Sequence, residues 1–89
     1  MANPEYLFAI QAETGHEVVS WKTTDVDKVS EVTAELRTDE HEKIARILHR
    51  GEPVAYANAG GYVGELTLMR WTADDKLADP VKHPVVLVD

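Results

Sequence analysis

TDVDKVSEVTAELRTDEHEKIARILHRG, residues 24–51, is the stretch whose reading decides the fold. Thr24 with Asp27 three residues later resembles a variant capping box, the signature of a helix start. Val26, Val29, Thr33 and Leu36 then recur at helical spacing. Val and Thr are weak helix formers, and Val32-Thr33-Ala34-Glu35-Leu36 also alternates like a strand. Thr38 is placed to cap a second helix running from Asp39 to Arg50. Its apolar residues are Ile44, Ala45, Ile47 and Leu48. Asp39, Glu40 and Glu42 stand at its start and Arg46, His49 and Arg50 at its end, the arrangement that complements a helix dipole. Gly51 suits the position just past a helix, and Pro53 prevents continuation. The stretch therefore predicts two helices.

On its N-terminal side, Tyr6, Phe8, Ile10 and Ala12 alternate with Leu7, Ala9 and Gln11. A second alternating run, Glu17-Val18-Val19-Ser20-Trp21-Lys22, follows the short turn Thr14-Gly15-His16. This predicts a β-hairpin whose core face carries Phe8, Ile10, Ala12, Val19 and Trp21, since register slips of two preserve the face. On the C-terminal side, Val54 to Ala59 reads as a strand, Gly60-Gly61 as a tight hairpin turn and Tyr62 to Thr72 as the return strand. Residues 72–83 are polar, with Asp74, Asp75 and Pro80, and predict a loop. Val85-Val86-Leu87-Val88 is a continuous apolar run, expected as a strand buried on both faces. The resulting order is β-β-α-α-β-β-β. It predicts a single α+β domain over residues 1–89, two-layered, with helices on one face of a mainly antiparallel sheet.

The chain has 89 residues, no cysteine and a net charge of −7. A chain of this length builds one modest core. The missing cysteines exclude disulfides, thiolate catalysis and cysteine-ligated metal centres. No apolar run approaches the roughly 20 residues that span a bilayer, and Met1-Ala2-Asn3-Pro4-Glu5 lacks the pattern of a secretory signal. A cytoplasmic location and no membrane association are expected. Between Thr24 and Glu42 seven acids face two bases, a net of −5. Such a balance argues against direct nucleic-acid binding, which needs a basic footprint.

Two surfaces stand out. In the second hairpin, Ala55, Ala57 and Ala59 share a face with Gly64, Leu66 and Leu68, flat enough for a helix to approach closely. The opposite face carries Tyr56, Val63, Met69 and Trp71, and aromatic residues and Met are enriched at protein interfaces. These four residues are expected to meet a protein partner or a second copy, unless the first hairpin or the 72–83 loop folds over them. If residues 25–37 are helical, Asp27, Glu31 and Glu35 line one helix edge with a spacing near that of phosphates on a nucleic-acid strand. Such a row suits a decoy that occupies another protein's basic groove. The plainer reading is a solvated helix face.

Enzyme chemistry finds little support. His41-Glu42 is not a His-Glu-x-x-His zinc motif, because Ala45 takes the place of the second histidine. Gly60-Gly61-Tyr62-Val63-Gly64 joins strand to strand, without the helix N-terminus of a phosphate loop. Ser20 and Ser30 lie in no nucleophile elbow. No metal and no cofactor are expected. The sequence thus predicts a small, acidic, non-enzymatic protein-binding domain. The alternatives are a phage-type acidic inhibitor of a DNA- or RNA-binding protein, a self-assembling virion or other structural component, and a small metal-binding domain or enzyme using His41.

Overall fold

Valine and threonine crowd their own backbone in a helix and fit a pleated strand. Where Val32, Ala34 and Leu36 alternate with Thr33, Glu35 and Arg37, the chain follows the period of two. The computed structural model describes residues 5–60, 65–72 and 81–88. In it β3 (Val32–Asp39) turns into β4 (Glu42–His49), and β4 turns into β5 (Glu52–Asn58). Both turns have two central residues. Glu40 and His41 take φ of 47° and 75°, and Arg50 and Gly51 take 52° and 82°. Positive φ at both centres is what the mirror-image hairpin turn requires.

The remaining strands are β1 (Tyr6–Ala12), β2 (Glu17–Thr23), β6 (Leu66–Thr72), β7 (Val81–Pro84) and β8 (Val86–Val88). They form two four-stranded sheets, ordered β2-β1-β6-β7 and β5-β4-β3-β8. Every pairing is antiparallel except β3 with β8, which is parallel. Only Val85 separates β7 from β8, so the chain steps there from the first sheet to the second. Val85 N–H donates to the Leu66 carbonyl and the side chain packs on the core at the step.

The core lies between the sheets. The first sheet contributes large side chains, among them Phe8, Ile10, Val19, Leu66 and Leu68. The second contributes Ile47 with Ala34 and Ala45, all three buried, and Ala55 and Ala57 pack against them. Large residues opposite small ones let two sheets approach to about 10 Å and interdigitate. Ile10 and Ile47, one from each sheet, are completely buried. Full burial of such a side chain contributes about 1.5–3 kcal/mol. Phe8 and Trp21 stand opposite each other on β1 and β2 with ring centroids 5.6 Å apart.

The α+β prediction is therefore overturned. Among the described residues the only helical element is a single 3-10 turn, Val26–Lys28, capped by the Asp25 carboxylate accepting from the Asp27 N–H. The predicted helix from Asp39 to Arg50 is a turn followed by β4. The charges placed at its two ends do not meet a helix dipole: Asp39 and Glu42, both from its start, face each other across the turn, and Arg46, from its end, sits opposite Glu35 of β3. The layer covering the alanine face is a second sheet, not a helix pair. The predicted second hairpin also fails, because β5 pairs with β4 and β6 with β1, in opposite sheets. Part of the predicted 72–83 loop is β7, and residues 73–80 lie outside the described residues. The C-terminal apolar run is an edge strand with Val86 and Leu87 exposed, not a strand buried on both faces.

The first hairpin is as predicted. Phe8 pairs with Trp21 and Ile10 with Val19, on the core side.

Candidate functional site

Strand alternation sends every second residue of β1, β2 and β6 away from the core. On β1 these are Leu7, Ala9 and Gln11. Register aligns Leu7 with Lys22 and Trp71, Ala9 with Ser20 and Met69, and Gln11 with Thr67. The outer face of the first sheet thus has an apolar centre, Leu7, Ala9, Met69 and Trp71, bordered by Gln11, Ser20 and Lys22. Leu7, Met69 and Trp71 are half-buried. A trough of about 650 Å³ runs over this face, and the described residues lining it belong to β1, β2 and β6. Its polar margin includes Glu17, Ser20 and Lys22, and its floor is Leu7 and Ala9 with Trp71 at one side.

The predicted interaction residues do not form one surface. Met69 and Trp71 share the outer face of the first sheet, two positions apart on β6. Tyr56 is on β5, on the outer face of the second sheet, where it pairs with Arg46 and is 74% exposed. Val63 lies outside the described residues. The sandwich therefore puts Tyr56 on the opposite side of the domain from Met69 and Trp71.

The three carboxylates expected along a helix edge are likewise separated. Asp27 lies in the 3-10 turn. Glu31, with φ of 58°, precedes β3 and holds Arg50 Nε at 2.9 Å. Its partner's backbone N–H also donates to the Glu31 carbonyl. Glu35 is central in β3, where Arg46 Nε donates to its Oε1 at 2.6 Å and Arg46 Nη2 donates to the same oxygen. The Glu35 side chain is only 16% exposed and that of Arg46 24%. Two of the three carboxylates are thus occupied by arginines of the same domain, and no helix aligns them in a row.

Sequence reasoning passed over Leu7 and Ala9. Their signal was present: β1 is apolar on both alternating faces, which a strand needs only when something meets each face. Among the described residues no group of three or more His, Asp or Glu is placed to hold a metal ion. His41 is exposed in the β3–β4 turn, and His49 ends β4. Among the described residues no helix is long and apolar enough to cross a membrane. No protein-family model, no curated protein and no solved structure matches this chain.

Proposed function

We propose that this protein is a small, non-enzymatic protein-binding domain that docks a partner on the outer face of its first sheet. The observation that carries the reading is the apolar centre of that face. The core is already formed between the sheets, yet Leu7, Ala9, Met69 and Trp71 gather on the far side, and the trough beside them is walled, among the described residues, only by strands of the sheet. Apolar centres with polar margins and aromatic anchors are the usual composition of protein interfaces. A cysteine-free, acidic chain suits the cytoplasm. An acidic-decoy role draws less support, because Glu31 and Glu35 already hold arginines.

The test uses the two tryptophans separately. In Trp21→Phe, Trp71 is the remaining indole, and docking on this face moves its emission to shorter wavelength as water is excluded. Partner capture from native lysate is compared between the wild type and the folded variant Met69→Ser. The expected result is loss of capture in Met69→Ser and retention in Asp27→Lys. Unchanged capture by Met69→Ser, with no response from Trp71, refutes the reading.

A further inference from the structure

A sheet edge presents unpaired N–H and C=O groups, and folded proteins guard such edges against other strands. Three of the four edges of this sandwich are guarded. On β2 the register shifts between Ile10 and Gln11, leaving Val18 as an extra residue, and Glu17 and Lys22 flank it. On β5 a second shift leaves Val54 extra, next to Pro53, which has no N–H. On β7, Pro84 closes the strand. The fourth edge, β8, is protected among the described residues only by its shortness, three residues. Val86-Leu87-Val88 carries no charge, no proline and no bulge, and it pairs with no described strand other than β3.

A second observation lies beside it. Leu87 pairs with Leu36, so it points to the core side of its sheet, yet it remains 58% exposed. The sandwich is open at this corner, where a cleft of about 600 Å³ is lined by Leu36, Leu66, Val85 and Leu87, with Lys43 and His83 at its margin. Whatever adds to the β8 edge must therefore bring an apolar side chain on the same face as Leu87.

We infer that β8 is a strand-addition site for β8 of a second copy, paired antiparallel about a twofold axis through Leu87. That axis stands perpendicular to the sheet, so both copies keep their core sides on the same side. Leu87 meets its counterpart over the two open clefts, and Val86 faces Val88 of the other copy. A twofold contact needs only one self-complementary segment, which this one is. The same register avoids opposing like charges. The row containing Glu35 and Val86 continues into Val88 and Arg37 of the second copy. A three-residue strand buries little area, so the dimer is weak and concentration-dependent. Each copy carries −7, and screening of that repulsion makes the dimer stronger at high salt. The inference does not depend on the docking face of the first sheet.

The absence of cysteine provides a clean test. Directly opposed residues of antiparallel strands have Cα atoms about 4.5–5.5 Å apart, within disulfide range. Leu87→Cys is expected to form a disulfide-linked dimer under mild oxidation. Val26→Cys, at a position 65% exposed in the 3-10 turn, serves as the control and should cross-link far more slowly. Light scattering from micromolar to millimolar protein should show the wild type shifting from monomer to dimer. Val86→Lys, at an exposed position, should weaken that association by about tenfold or more, while Met69→Ser leaves it unchanged. A wild type monomeric throughout overturns the inference. So does a dimer in which position 87 cross-links no faster than position 26. Loss of the dimer in Met69→Ser alone would assign the contact to the outer face of the first sheet.

Discussion

Replacing Glu40-His41 by Asn-Gly tests the fold at the place where sequence and structure part. Both residues have positive φ, 47° and 75°. Left-handed backbone costs an ordinary L-residue about 1–2 kcal/mol, which glycine avoids and asparagine largely tolerates. Glycine gives back about 0.5–1 kcal/mol through its freer unfolded chain. His41→Gly should therefore yield a net gain of up to about 1 kcal/mol, and Glu40→Asn a few tenths more. For a domain of this size about 1 kcal/mol moves the melting temperature by roughly 4–8 °C. Thermal unfolding followed by circular dichroism should show the double variant melting higher by that amount. A helix from Asp39 to Arg50 demands the opposite sign. Glycine in its first turns costs up to about 1 kcal/mol, and replacing Glu40 removes an acid that favours the helix dipole. A lower melting temperature would refute the hairpin and the reasoning built on it.

Two further substitutions probe the second sheet, each read by urea unfolding. Arg46→Ala leaves Glu35 mostly buried without its partner and should cost about 2–3 kcal/mol, whereas Glu35→Leu with Arg46→Leu should lie much closer to the wild type; equal losses would show that the pair itself is strongly stabilising. His49 Nε2 is buried with no hydrogen-bond partner among the described residues, so His49→Leu should be neutral or stabilise by about 1 kcal/mol, and a clear loss would reveal a partner for that nitrogen.

The two-residue turns explain much of what was legible. Arg50-Gly51 contains a glycine, and the sequence marks a chain reversal there, although as the end of a helix. Glu40-His41 contains neither glycine nor asparagine, so no local signal announces a hairpin between β3 and β4. Without it, the acids around the turn, Asp39, Glu40 and Glu42, and the bases further along, Arg46 and Arg50, read as the two ends of one helix. Gly60-Gly61 misled in the other direction. It suggested a hairpin between β5 and β6, which pair elsewhere in opposite sheets. That error merged Tyr56 with Met69 and Trp71 into one surface. The pair Met69 and Trp71 survived it, because residues two apart on a strand share a face whatever their partner.

The sequence by itself determined the faces. Phe8, Ile10 and Ala12 oppose Leu7 and Ala9, and Ala55 and Ala57 oppose Tyr56, by the geometry of a single extended chain. It also determined the acidity and the absence of thiol chemistry. Only the tertiary structure decided the period of residues 24–51 and the pairing of every strand beyond the first hairpin. Over that stretch helix and strand differ little in local preference, since Ala, Glu, Leu and Arg favour one and Val, Thr and Ile the other. Burial decides between them. As strands, Val32, Ala34, Leu36, Ala45 and Ile47 share one flat face against Phe8, Ile10 and Leu68, contacts between distant parts of the chain that no local pattern records.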